Sequence, residues 1–232
     1  MKQLKNIYQN NNGILNDAFD RLVAQIHIKK QKDDLKSFVI CGTEPGVGTT
    51  TISINLAIAM AQAGWKTLLI DGDLRKASGD KRLNEESDAG LSEFLNSTAA
   101  LEDVICATNY EHLSYISSGF GYVNVVSAFC SAHMKGLLTY LQDKYDYIII
   151  DMPSLSTAVD AVIMSGSVSG VMLVTSQKNG LRKAIKDAKK QLERTNANVL
   201  GIIVNQVEDS EYRRAMKNYD YFKKHKYFTR ES

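Results

Sequence analysis

The chain has 232 residues, 44% of them hydrophobic and 23% charged, with a formal net charge of +2. That length suits one domain with a sizeable core, burying roughly 70% of the unfolded surface. The balance excludes a disordered chain, a collagen-like chain and a membrane bundle. It also excludes an electrostatic nucleic-acid binder built on overall charge, so no specific nucleic acid is expected. The three cysteines, Cys41, Cys106 and Cys130, are too widely spaced for a metal or redox motif, which suits a reducing cytosol. The polar Met1–Asn12 stretch reads as a loose leader rather than a signal peptide, and no apolar run reaches the ~18 residues that span a bilayer.

Taken in order, residues 14–28 show helical apolar spacing, and the charged residues 29–36 read as a connector. Residues 38–41 form a short buried strand that runs into a Gly/Pro/Thr-rich turn. Residues 50–63 read as a helix closed by Gly64, and residues 66–70 as a second strand ending at Asp71-Gly72-Asp73. Two short helices are predicted over 91–96 and 101–107, then a weak strand over 113–116 and a helix over 131–141. Residues 147–150 are a buried strand ending at Asp151. A helix over 159–164, a strand over 171–174, a helix over 181–194 and a strand over 199–204 follow, and residues 210 to about 227 read as a last helix. Near-continuous Ile/Val/Leu strands alternating with amphipathic helices predict a doubly wound α/β fold with a mostly parallel sheet covered on both faces. The predicted organisation is a leader and helix over 1–30, the α/β domain over 36–209 and a basic tail over 210–232.

In such folds ligands bind at the carboxyl ends of strands. Three polar features stand there: the turn after Ile40, the Asp71/Asp73 pair and Asp151. The turn reads Cys41-Gly-Thr-Glu-Pro45-Gly46-Val47-Gly48-Thr49-Thr50-Thr51. Strand, glycine-rich loop and helix is the P-loop context, in which backbone N–H groups and the helix N-terminus cradle phosphate. Thr50 stands where a hydroxyl would ligate Mg²⁺, and Thr51 where one would donate to a phosphate. The lysine that ordinarily precedes Thr50 is Thr49 here. Asp71 suits the orientation of an attacking hydroxyl or water, and Asp73 and Asp151 suit direct or water-mediated contact with Mg²⁺. Each aspartate alone reads equally well as a helix cap. Asn205, ending the last strand, reads either as an adenine contact or as a turn residue.

The runs Pro45-Gly-Val-Gly48, Leu68-Leu-Ile-Asp71-Gly-Asp73-Leu-Arg75-Lys76 and Tyr147-Ile-Ile-Ile-Asp151-Met-Pro153 together resemble the bacterial tyrosine kinases of capsule and exopolysaccharide synthesis. The resemblance runs from about Asp17 to Asn205. It implies a P-loop protein at the inner face of the membrane that uses ATP (or bound ADP) and Mg²⁺ to phosphorylate C-terminal tyrosines. It places residues 45–51, Arg75 and Asn205 around the nucleotide, with Asp71, Asp73 and Asp151 as catalytic carboxylates and Thr50, Asp73 and Asp151 toward the metal. It also implies activation by a membrane protein of the chain-length-regulator type and self-association. The family's Glu-x-x-Arg-x-x-Arg contact motif aligns with Asp17-x-x-Asp20-x-x-Val23, without either arginine, which argues against a ring. With Thr49 in place of lysine, weak nucleotide binding and impaired transfer are expected. Two other readings remain: a non-catalytic adaptor of the same fold, and a partitioning-type ATPase, against which Asp73 and Arg75 weigh.

Residues 211–232 hold seven basic and three acidic residues, a net of +4. Tyr212, Tyr219, Tyr221 and Tyr227 lie there as candidate phosphosites under the resemblance. The same stretch reads as a packed amphipathic helix, or as a peripheral contact with anionic lipid.

Overall fold

A computed structural model describes residues 2–3, 13–75, 89–121, 123–177 and 181–215. The elements in chain order are β1 (Lys2–Gln3), α1 (Gly13–Asp33), β2 (Ser37–Gly42), α2 (Thr49–Gln62), β3 (Thr67–Asp71), α3 (Leu91–Leu95), α4 (Leu101–Val104), β4 (Ile105–Ala107) and β5 (Leu113–Ile116). They continue as α5 (Val125–Cys130), α6 (Ala132–Gln142), β6 (Tyr147–Met152), α7 (Asp160–Ser165), β7 (Gly170–Ser176), α8 (Leu181–Glu193), β8 (Val199–Asn205) and α9 (Asp209–Ala215).

The described strands form one eight-stranded sheet in the order β1-β4-β5-β3-β6-β2-β7-β8. All neighbours run parallel except β4 and β5. The doubly wound, mostly parallel α/β fold expected from the sequence is the one observed. Its strands bury alternate residues on opposite faces. Phe38 and Ile40 of β2 pack with Val23 and Ile26 of α1 and Leu56 and Met60 of α2. Val39 and Cys41 turn the other way, to Leu91, Leu137, Met164 and Leu192 of α3, α6, α7 and α8. Cys41 is fully buried, and burial, with the Asp151 charge adding, pushes its thiol up to about 12. It is a small core residue, not a reactive one.

Several boundaries differ from the sequence reading. The leader is not wholly loose: Lys2–Gln3 pairs in parallel with β4. Helix α1 continues through the expected connector to Asp33, where Lys29 and Asp33 form an i,i+4 pair at 3.8 Å. The helix expected over 101–107 stops at Val104, and Ile105–Ala107 turns into an antiparallel strand on β5. Residues 125–130, given no element by apolar spacing, form α5, whose first turn is capped by Asn124 Oδ1 accepting from Ser127 N at 3.2 Å. The last helix is described only over Asp209–Ala215, so its expected extent to Tyr227 lies outside the described residues. Among the described residues no helix is long and apolar enough to cross a membrane.

At its inner end α1 is seated by aromatic packing. His27 stacks on Trp65 at 4.6 Å, Trp65 meets Tyr147 edge-on at 5.3 Å, and the Tyr147 hydroxyl lies 3.2 Å from His27 Nδ1. The segment after β5 is held by Glu93 of α3. Its carboxylate accepts from Gly90 N at 2.7 Å, Ser92 Oγ at 3.0 Å, Phe120 N at 3.0 Å and Gly121 N at 2.5 Å. Burial pushes this carboxyl up, but the donors outweigh it and hold it below the ordinary glutamate range.

A group with a depressed folded value stabilises the fold above its unfolded value and loses that contribution as pH falls through the folded one. Glu93→Gln should therefore cost about 1–3 kcal/mol at neutral pH. Denaturation midpoints of the two proteins should converge as pH drops below the ordinary glutamate value of about 4.3. A difference that persists at acid pH would contradict this role for the carboxylate.

Candidate functional site

The site stands where β2, β3 and β6 end together. In the parallel register Asp71 of β3 lies beside Asp151 of β6, and Ile40 of β2 beside the same Asp151. Both aspartates are 3% exposed, so two carboxylates share one buried edge. Beyond the paired ends, Gly72 N donates to Asp151 O at 2.8 Å and Leu155 N to Gly42 O at 2.9 Å. Asp73 N donates back to Asp71 Oδ1 at 3.1 Å, a turn that keeps Asp73 at the rim and partly exposed. Asp151 Oδ1 accepts from Ser53 Oγ at 3.0 Å.

The loop after β2 arches over these ends. Gly46 and Gly48 both take the left-handed conformation, at φ 79° and 87°. At Gly48 a side chain is also excluded by space, since a Cβ would lie 2.4 Å from Asn205 Nδ2. Asn205 Nδ2 donates to Val47 O at 2.8 Å, and Gln206 Nε2 to Gly46 O at 3.0 Å. Two of the loop's carbonyls are thus held by the last residue of β8 and the one after it. Among the described residues, the backbone N–H groups of Gly46, Val47, Gly48 and Thr49 donate to no protein acceptor. Unpaired N–H groups at a glycine nest and helix N-terminus fit a polyphosphate.

Thr49 folds back over the base of the loop. A Cβ on Gly42 would lie 2.7 Å from Thr49 Oγ1, so the hydroxyl packs against the bare Gly42 backbone. Thr50 and Thr51 follow on the first turn of α2, Thr50 partly exposed and Thr51 exposed, with Pro45 at the exposed crown. Among the described residues no group of three or more His, Cys, Asp or Glu is arranged to hold a metal by itself. The Thr50, Asp73 and Asp151 set instead suits Mg²⁺, which keeps waters and shares phosphate oxygens.

Arg75, expected beside the nucleotide, is engaged by a carboxylate of the protein itself. Its Nε and Nη2 bind Asp160 Oδ2 and Oδ1 at 2.6 and 2.8 Å. Asp160, at the start of α7, is fully buried, and the fork satisfies both its oxygens. The Asp160 hydrogen bonds keep the guanidinium protonated well above its already high ordinary value. The pair fixes the segment after Asp73 to α7.

On the other face of the sheet, the Tyr212 hydroxyl donates to Asp17 Oδ2 at 2.9 Å, an oxygen that also accepts from Arg21 Nε at 2.9 Å. So the first of the candidate phosphosites is engaged by α1. Tyr219, Tyr221 and Tyr227 lie outside the described residues, as does Lys76. Asp20, on the same turn of α1, is pushed up by burial, with the Asp17 charge adding.

Sequence reasoning missed Ser53, Gln206 and Asp160 as working residues. Ser53 was findable: it lies one helical turn after Thr49, on the face that looks down on the strand ends. Gln206 takes a left-handed φ of 57°, for which its residue type carries no signal.

A phosphate nest at a helix N-terminus, set over carboxylates at the ends of adjacent parallel strands, defines a P-loop nucleotide-binding fold. A family model described as an AAA domain matches residues 35–202. The chain is 37% identical to the tyrosine-protein kinase CpsD of Streptococcus pneumoniae serotype 4, over 79% of this chain and 82% of that protein. The chimerical protein CapA2B2 superposes with a TM-score of 0.77 at 32% identity, covering 82% of this chain and 84% of that one. The septum site-determining protein MinD of Pyrococcus horikoshii OT3, solved with Mg-ADP, gives 0.62 at 26% identity, over 77% and 73%. The chain belongs to the bacterial tyrosine-kinase family of P-loop proteins.

Breaking the Arg75–Asp160 pair leaves a buried carboxylate without its counter-charge. Arg75→Ala should lower stability by about 2 kcal/mol or more. Arg75→Ala/Asp160→Ala should recover part of that loss, because the uncompensated charge goes too. Urea midpoints of the double variant and of each single variant, Asp160→Ala included, read this directly; a double loss equal to the sum of the two single losses would show that the pair is not coupled.

Proposed function

We propose that this protein binds Mg-ATP in the loop over Gly46–Thr51 and transfers phosphate to tyrosine only weakly, in the service of capsule or exopolysaccharide synthesis. The observation that carries the reading is the set of N–H groups from Gly46 to Thr49 that donate to no protein acceptor among the described residues, in a loop whose Val47 and Gly46 carbonyls are held by Asn205 and Gln206. The Mg-ADP bound by the MinD relative and the kinase name of the CpsD relative support the ligand and the reaction.

Bound Mg-ATP would supply the transferable phosphoryl group and the divalent charge. The protein's part is to hold and orient. Backbone N–H groups of the loop donate to the phosphates, and the α2 N-terminus adds its partial positive charge. Thr50, Asp73 and Asp151 would hold the cation, with Ser53 fixing the Asp151 rotamer. Asp71 would take the proton of an attacking tyrosine hydroxyl as its oxygen accepts phosphorus and ADP departs.

Thr49 sets the limit. A charged hydrogen bond contributes about 1.5–3 kcal/mol, roughly 10- to 150-fold in affinity, and cationic clamps act most strongly on transition-state charge. Arg75 is a poor substitute, because Asp160 holds the Nε–Nη2 edge of its guanidinium. That engagement also favours a second reading, a non-catalytic adaptor that binds nucleotide without turnover and answers to a membrane activator. The two differ in one measurement, autophosphorylation.

Calorimetric titration of Thr49→Lys should show Mg-ATP bound at least about 10-fold more tightly than by the unaltered chain. A folded variant with unchanged affinity would remove the loop as the nucleotide site. Anti-phosphotyrosine detection after incubation with Mg-ATP should give little signal from the unaltered chain; a robust signal would overturn the impaired reading.

A further inference from the structure

The outward face of α8 carries charge that the nucleotide rim does not use. Leu181–Glu193 holds five basic residues, Arg182, Lys183, Lys186, Lys189 and Lys190, against Asp187 and Glu193. All five cations are exposed, and Arg194 extends the run. Among the described residues Lys189 pairs with Glu193 at 3.8 Å, and no ion pair engages Arg182, Lys183, Lys186 or Lys190. The inner face of the helix, through Ala188 and Leu192, is fixed in the core beside Leu173.

A second feature adjoins this face. Ile202 and Val204 of β8 are 43% and 42% exposed. They stand in register with Leu173 and Thr175 of β7. Side chains in register share a face of the sheet, so both lie on the α8 side, on the last strand of the described sheet. Single exposed apolar residues mean little. Two beside an unneutralised basic helix form a mixed surface, cationic with an apolar margin.

We propose that α8, with Ile202 and Val204 along its margin, is a docking surface for anionic lipid headgroups. Clusters of four to eight lysines and arginines on an amphipathic helix suit an anionic bilayer surface. Here the apolar side of the helix is committed to the core, so the helix lies against the headgroups without inserting. The apolar pair at the edge favours lipid over nucleic acid, whose phosphate backbone offers no apolar partner. The surface lies along a face of the sheet and the loop lies at the strand ends, so a docked molecule keeps its nucleotide rim open. This contact is independent of the basic tail and of nucleotide binding.

The test is co-sedimentation of the full chain with vesicles of phosphatidylglycerol and phosphatidylcholine in equal parts, against phosphatidylcholine alone. Binding should need the anionic lipid and fall steeply with salt. Lys186→Gln/Lys190→Gln should weaken it by on the order of 10-fold or more. Ile202→Ser/Val204→Ser should weaken the binding that survives at higher salt. The lysine pair is solvent-facing, so its melting curve should match the unaltered chain; the serine pair, half-buried in β8, should melt lower, and its binding is read well below its own midpoint. Binding unchanged by the lysine pair would overturn the proposal and assign any lipid contact to the tail. Retention on duplex DNA but not on anionic vesicles would overturn it in favour of nucleic acid.

Discussion

The parallel register of β2, β6 and β3 is the constraint on which the rest depends. It sets Asp71 beside Asp151 and ends β2 against the same edge, so the loop that follows must arch over two buried carboxylates. Short backbone ties complete the arrangement. Gly72 N reaches Asp151 O, Leu155 N reaches Gly42 O, and Thr43 N reaches Val174 O at 2.8 Å. Each tie joins segments that are remote in sequence, so the loop geometry is a product of the whole sheet. Within that frame four loop N–H groups donate to no protein acceptor among the described residues. Groups held in place by the fold need no reordering on binding, which lowers its entropic cost.

The charge at this rim is unusual for a phosphate site. Asp71, Asp73 and Asp151 supply negative charge, while the lysine position is Thr49 and Arg75 is drawn off by Asp160. Only backbone dipoles remain on the positive side among the described loop residues. A polyphosphate brought here meets like charge unless a divalent cation comes with it. Nucleotide binding by this chain should therefore depend on Mg²⁺ more strongly than in a loop that keeps its lysine.

Much of this was legible in the sequence, for physical reasons. Strands buried on both faces read as continuous apolar runs, so β2, β3, β6 and β7 were visible, and each strand-end aspartate followed directly. Strands of two or three residues carry no periodicity, so β1 and β4 were absorbed into a leader and a helix. Helix α1 outran its apolar pattern because its last turns are largely solvated and carry a local ion pair, Lys29–Asp33. The ties that shape the site, Asn205 to Val47 and Arg75 to Asp160, span 158 and 85 residues of sequence, and no local pattern encodes such partners. Asn205 shows the difference well. As a strand-end residue it was findable; its task of holding the loop by a carbonyl was not. The basic face of α8 was readable in the sequence but was overshadowed by the more conspicuous charge of the tail.

The central claim is that the amides of the loop over Gly46–Thr49 receive phosphate despite the missing lysine. Amide ¹H–¹⁵N spectra recorded as Mg-ADP is added test it most directly. Shifts should concentrate on Gly46, Val47, Gly48 and Thr49 and be abolished when Mg²⁺ is chelated. Unmoved loop amides at saturating nucleotide, or shifts confined to another surface, would contradict it.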